Sequence, residues 1–298
     1  MHFKALISLP LAIIASACIS SVELVQRPIV FEPVIGSEVR SSSETDMSVP
    51  FPEDKTFGVW ALDSRTSAKY MDDCEIRHAD GGWTSDPVTF WPVSAPLSFM
   101  AYSPYSLPMT LEGVNLVLKD FDVSKDDTDI LFTLPVYGLT SALGAVKIPF
   151  MHALSKLDMR VANGFGDDVD LRIDAVLIKG VARRGDFTTA RKSYWIVDES
   201  SLEDIVIFDS ERDGEFLAGP RMQFIGEVHT IIPQGMRPTV VLSYSFRVDG
   251  GEWIDGQQES VELRDTYWEA GRYYTYSFNI NESRLTYTTG IGHWSERN

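Results

Sequence analysis

His152-Ala153-Leu154-Ser155-Lys156-Leu157-Asp158-Met159-Arg160-Val161 is the stretch that decides between helix and strand. Its Ala, Leu and Lys content suits a helix. Yet Ala153, Ser155, Leu157, Met159 and Val161 fall on one side of a two-residue period, and His152, Leu154, Lys156, Asp158 and Arg160 fall on the other. Apart from Leu154 and Ser155, this is the alternation of a half-buried strand. No other stretch has a convincing amphipathic helical period. Working outward, short apolar runs are punctuated by Asp80-Gly81-Gly82, Asp86-Pro87 and Asp249-Gly250-Gly251-Glu252. That spacing predicts an all-β chain built as β-sandwiches.

Strands are predicted at 56–62, 74–78, 88–90, 97–101, 114–118 and 129–134, then at 146–150, 157–161, 171–178, 194–197, 205–208, 224–232, 239–248, 260–263 and 273–280. A further strand at 28–35 precedes a polar stretch, 36–52, that reads as an exposed loop. The Gly-bounded segment 138–145 separates two strand regions. It divides the chain into an N-terminal sandwich, 56–143 completed by strand 28–35, and a C-terminal sandwich, 144–298.

The first residues read as an export signal. Met1-His2-Phe3-Lys4 is a short positive region, Ala5 to Ile14 is apolar, and Ala15-Ser16-Ala17 supplies small residues before Cys18. This is the pattern of a secretory signal peptide, residues 1–17. The apolar run is about half of the ~20 residues that a membrane-spanning helix needs. Ala15-Ser16-Ala17-Cys18 resembles the lipobox of bacterial lipoproteins, which implies a lipidated Cys18 and an outer-membrane lipoprotein. Cys74 is the other cysteine; with Cys18 carrying lipid, no intramolecular disulfide forms, and Cys74 reads as a buried strand position.

Charge and motif content exclude several functions. The 298 residues carry a net charge of −17, which repels phosphate backbones and argues against nucleic acid. Residues 18–143 carry net −11 and residues 144–298 net −7, so neither half offers a basic face. The histidines are scattered, and no HExxH or CxxC occurs. The stretch from Asp120 to Asp129 alternates oxygen side chains like a calcium loop. Lys125, however, stands in the place of the turn glycine, and Leu131 in that of the bidentate glutamate. No GxSxG, phosphate-binding loop or other nucleophile motif is present. The expectation is a non-enzyme with no cofactor and no metal. Aromatic residues are the remaining lead: Trp83, Phe90, Trp91, Phe99, Tyr102, Tyr105, Tyr267, Trp268, Tyr273, Tyr274, Tyr276 and Phe278 either pack the core or line a glycan-binding platform.

Several ordered segments resemble one family, the fimbrillins, which are lipoprotein-derived pilus subunits. They are Phe57-Gly58-Val59-Trp60-Ala61, Trp83, Phe90-Trp91-Pro92 and Leu97-Ser98-Phe99-Met100-Ala101-Tyr102-Ser103-Pro104, followed by Val146 through Leu157, Ile231-Ile232-Pro233-Gln234 and Trp268-Glu269-Ala270-Gly271-Arg272-Tyr273-Tyr274-Thr275-Tyr276. The resemblance implies two sandwiches of transthyretin-like topology. It also implies surface export, adhesion to a host or bacterial surface ligand, and protease-triggered donor-strand exchange with other fimbrial subunits. By that resemblance the removable strand spans 28–34, with Ile29, Phe31 and Val34 as plugs. Arg40 is the processing site, with Lys55 and Arg27 behind it, and a C-terminal donor strand carries Leu285, Tyr287 and Ile291. The competing expectation is a surface glycan-binding lipoprotein.

Overall fold

The computed structural model describes residues 26–36, 48–125, 128–235, 237–264, 267–282 and 285–294. The expected signal peptide, Cys18 and Arg40 lie outside them. The described strands are, in chain order, β1 (Phe31–Ile35), β2 (Val49–Pro50), β3 (Phe57–Asp63), β4 (Lys69–Ala79), β5 (Gly82–Ser85), β6 (Leu97–Ser103), β7 (Thr110–Glu112), β8 (Asn115–Asp122), β9 (Leu131–Phe132), β10 (Val136–Leu139), β11 (Val146–His152), β12 (Ser155–Asn163), β13 (Val169–Ala182), β14 (Arg184–Thr188), β15 (Trp195–Val197), β16 (Leu202–Asp209), β17 (Phe216–Ala218), β18 (Gln223–Ile231), β19 (Thr239–Val248), β20 (Ile254–Glu262), β21 (Arg272–Ile280) and β22 (Leu285–His293). The fold is nearly all-β, as the alternation at 152–161 predicts. Leu157, Met159 and Val161 are fully buried. Leu154 breaks the pattern because β11 ends at His152 and β12 begins at Ser155, so the chain changes sheets there.

Four sheets build two units. The first runs β10-β6-β3-β4-β5-β1-β11-β9, with β2 on β1, and β9 also pairs with β6, so the sheet closes on itself. Its interior holds Ile29, Phe31, Ile35, Phe57, Val59, Phe99, Ile148 and Phe150. The second sheet, β15-β14-β8-β7, packs on the opposite faces of β3 and β6 through Trp60, Met100, Tyr102, Leu118, Phe187 and Trp195. This explains why 57–62 and 97–102 are almost wholly apolar, Ser98 apart: both faces of β3 and β6 are covered. The third sheet, β18-β12-β21-β22, and the fourth, β16-β13-β19-β20 with β17 on β13, enclose a separate core of Leu157, Met159, Ile173, Val176, Leu242, Tyr276 and Phe278 among others.

The segment 138–145 does not cleanly divide these units. β11, which follows it, pairs with β1 in the first sheet, and β14 pairs with β8, so the second half lends a strand and a hairpin to the first unit. Long-range pairing of this kind has no local sequence signal. At the crossing from β13 to β14 the backbone of Ala182 is held by Gln234, which is 2% exposed. The Gln234 Oε1 accepts from the Ala182 N–H at 3.0 Å, and its Nε2 donates to the carbonyls of Ala182 at 3.0 Å and Ile232 at 2.9 Å. A strand leaving its sheet frees backbone groups that must be satisfied in a dry interior, and one side-chain amide serves both kinds.

The expected strand at 88–90 is instead an isolated bridge from Phe90 to Pro28. The segment read as a turn, Asp80-Gly81-Gly82, leads directly into β5, a four-residue strand too short to show a period.

Candidate strand-exchange site

The first unit is completed by the segment 27–36, held on both sides. On one side the Ile29 N–H donates to the Thr89 carbonyl at 2.8 Å and the Trp91 N–H to the Arg27 carbonyl at 2.8 Å, while Phe31 faces Trp83 of β5. On the other side β1 runs parallel to β11 in continuous register from Phe31↔Val146 to Ile35↔Phe150. The Val146 N–H donates to the Val30 carbonyl at 2.8 Å and the Gly36 N–H to the Phe150 carbonyl at 3.0 Å.

The side chains of this segment alternate. Ile29, Phe31 and Ile35 are 1%, 3% and 4% exposed, and Pro33 is also buried. Val34 lies on the opposite face, half-buried and paired with Pro149 and Pro50. A period of two that starts at Ile29 reaches Ile35, not Val34; the third large apolar side chain on the buried face is therefore Ile35. The Phe31 ring stands edge-on to Phe57 at 6.1 Å and Phe99 at 5.8 Å. Burying Ile29, Phe31 and Ile35 contributes about 4.5–9 kcal/mol at roughly 1.5–3 kcal/mol each. A strand seated this firmly does not leave unaided.

Phe51, directly after β2, enters the same core at 3% exposure. It lies 5.5 Å from Phe57, 5.3 Å from Trp83 and 5.2 Å from Phe150. Nothing in the local sequence distinguishes Phe51 as a plug; its Pro-flanked, polar surroundings read as loop.

The C-terminal strand β22 is an edge strand. It pairs antiparallel with β21 over its whole length, from Arg272↔His293 to Ile280↔Leu285, without a register shift. Leu285 is buried and Tyr287 packs against the core of the second unit, whereas Thr288 through His293 are exposed, Ile291 at 64%. Trp294, the next residue, is 5% exposed. Its indole is stacked on the His152 imidazole, centroids 4.3 Å apart and planes 7° from parallel, and the Lys156 ammonium sits 4.3 Å from the ring centre. His152 Nδ1 in turn lies 2.7 Å from Asp129 Oδ2. A cleft of about 230 Å³ beside this stack is lined by Gly36, His152, Arg272, His293 and Trp294 among others.

The expected aromatic platform does not assemble. Trp83, Trp91, Phe99, Tyr102, Trp268, Tyr274, Tyr276 and Phe278 are core residues, Tyr105 and Tyr273 are half-buried, and of the group Phe90 and Tyr267 are exposed. Trp268, Tyr274 and Tyr276 each make a hydrogen bond in or beside the core. The Trp268 Nε1–H donates to the Tyr276 hydroxyl at 2.9 Å, and the Tyr274 hydroxyl donates to the Tyr267 carbonyl at 2.9 Å. Ser155 Oγ–H donates to the Glu269 carbonyl at 2.7 Å and the Gly271 N–H to the Leu154 carbonyl at 2.8 Å. The segments around 154 and 270, both singled out by the sequence, thus bind each other. Near the other aromatic run, burial lifts the Asp73 carboxyl above its usual value, opposed by the Tyr102 hydroxyl, which donates to it at 2.9 Å; Asp72 adds to the lift. Burial and Asp73 push the Tyr102 phenol up. Cys74 is half-buried in β4. Among the described residues no group of His, Cys, Asp and Glu is placed to hold a metal ion.

A family model described as fimbrillin-like matches residues 43–294. No curated protein matches the chain in sequence. Among solved structures, the chain is similar to a fimbrial protein from Bacteroides vulgatus, with a TM-score of 0.59 and 13% identity over 89% of this chain and 99% of that one. It is also similar to proteins named "putative cell adhesion protein". The one from Bacteroides uniformis gives a TM-score of 0.54 at 18% identity, covering 90% of this chain and 99% of that one. The one from Bacteroides ovatus gives 0.54 at 17% identity, covering 92% and 99%. At such identities these likenesses bear on the fold.

Proposed function

The chain belongs to the fimbrillin-like family, and on that premise we propose that it is a structural or accessory subunit of cell-surface fimbriae, exported as a lipoprotein and joined to its neighbours by strand exchange. The observation that carries this reading is the seat of β1. Five consecutive residues pair in parallel with β11, three large side chains fill the closed sheet, and the chain between β1 and β2 contains Arg40. Removing the segment exposes an apolar groove bounded by unpaired backbone, and a strand from another subunit restores both.

Arg40 suits the processing role better than its rivals. A cut after Arg27 leaves β1 attached to the rest of the chain. A cut after Lys55 also removes Val49 to Phe51, and with it the buried Phe51 ring. A cut after Arg40 frees Ile29, Phe31 and Ile35 while keeping Phe51 in the core.

The exported chain is held at the outer membrane by lipid on Cys18 until processing. Among the described residues no helix is long and apolar enough to cross a membrane, and lipid supplies the anchor in this reading. The donor strand is the C-terminal one, with Leu285, Tyr287 and Ile291 as its plugs. The role is non-enzymatic, the partners being other fimbrial subunits and a surface ligand met in adhesion. Net charges of −11 and −7 on the two halves keep unassembled subunits apart.

N-terminal sequencing of protein from sheared surface filaments tests the processing step. A start at Ser41 supports it, and a start at Cys18 sinks it.

A further inference from the structure

β22 is fastened at its two ends and bare between them. Leu285 and Tyr287 hold its beginning to the second unit. Thr288 to His293 are exposed, so they bring backbone pairing with β21 but almost no apolar burial. The end is held by Trp294, which belongs to a different core, the cluster that also contains Phe132, Leu154, Phe187 and Trp195. Its N–H donates to the Gly271 carbonyl at 2.9 Å, and its ring contacts both His152 and Lys156. An edge strand with so little buried surface opens locally at low cost unless such an anchor is in place.

The seat of that anchor is the end of β11. His152 closes β11, and the preceding residues Val146 to Phe150 have β1 as their strand partner; β9 pairs with Met151 and His152 alone. Gly36, where β1 ends, and Trp294 line the same cleft. When β1 leaves, five residues of β11 lose their ladder, and the cleft wall beside Trp294 goes with them. We propose that Trp294 is a latch that keeps the C-terminal strand on its own subunit until β1 departs, with β11 and His152 carrying the coupling. Its purpose rests on the strand-exchange reading. Under that reading the latch keeps a donor strand out of circulation while its own subunit is unprocessed.

The measurement is backbone hydrogen exchange on the full, untrimmed chain. In W294A, residues 286–293 exchange at least about tenfold faster than in the wild type, while β12 keeps its protection. W294F, which keeps a ring in the seat, falls between the two. Loosening β1 by F31A, or by the milder I35A, also speeds exchange of 286–293, and neither adds to the effect of W294A in the double variant. Unchanged exchange of β22 in W294A overturns the latch. Acceleration in W294A with β22 as slow in F31A and I35A as in the wild type overturns the coupling. These readings need no assembly, so they stand or fall separately from the donor role, which filament formation by a C-terminal variant decides.

Discussion

The rings of Phe31 and Phe57 meet edge to face, 87° apart in plane with centroids at 6.1 Å, and tie a strand near the N-terminus to the middle of a closed sheet. Truncating Phe31 leaves a cavity among Phe57, Phe99 and Ile29. The F31A variant is expected to lose about 3–5 kcal/mol of stability, the usual cost of Phe→Ala in a core. Urea unfolding followed by tryptophan fluorescence measures it; a loss below about 1 kcal/mol would show that β1 is not part of the first core.

Gln234 carries three hydrogen bonds to buried backbone. In Q234A the Ala182 N–H and carbonyl are left without a partner in a dry site, at about 1–3 kcal/mol for each unsatisfied group. A drop in stability of about 2–4 kcal/mol is expected. Q234E is expected to be at least as costly, because a carboxylate offers no donor to the two carbonyls.

Asp73 sets a pH dependence with a definite sign. Its folded carboxyl holds a proton more tightly than the unfolded one, chiefly through burial. Stability therefore falls as pH rises from the ordinary carboxylate value through the raised one, and stays lower above it. Asp73 also has φ +51°, a conformation that Asn adopts readily, and Asn keeps an acceptor for Tyr102. D73N is expected to flatten the decline and to raise Tm at neutral pH by about 2 °C at most, since the group is only half-buried and solvent screens it in part. Thermal melts between pH 4 and 8 read both effects; a Tm that falls on substitution contradicts the assignment.

Ile291 separates folding from assembly. At 64% exposure it contributes little to the monomer, so I291D is expected to change stability by no more than about 0.5 kcal/mol. In the proposed donor role it enters an apolar groove, where an aspartate is strongly disfavoured. Filament assembly is then expected to fail in a normally folded subunit. Normal filaments from I291D would remove Ile291 from the donor role.

Much of this fold is written locally. Leu157, Met159 and Val161 announce a strand because they face the apolar core while Lys156, Asp158 and Arg160 between them are polar. The apolar residues at successive positions in β3 and β6, with Ser98 the exception inside 97–102, match burial on both faces. Other features depend on distant partners. β14 lies beside β8 only because the chain crosses between units, and a short polar-flanked segment carries no sign of that destination. Val88 to Phe90 looks like a strand but is too close to its proline to continue beyond a bridge. Val34 and Ile35 are equally apolar, and only the register from Ile29 tells which one points inward. Trp294 follows a Gly-rich strand, and its partner His152 is far away in sequence, so the stack between them has no local signature.

Controlled trimming shows whether β1 is a replaceable strand. Purified full-length subunit is treated with an Arg-specific protease, and its products are followed by N-terminal sequencing and electron microscopy. Strand exchange predicts a chain that starts at Ser41, loses the segment carrying Ile29, Phe31 and Ile35, and converts from monomer to filaments. Trimmed subunits that keep that segment bound and stay monomeric would contradict it.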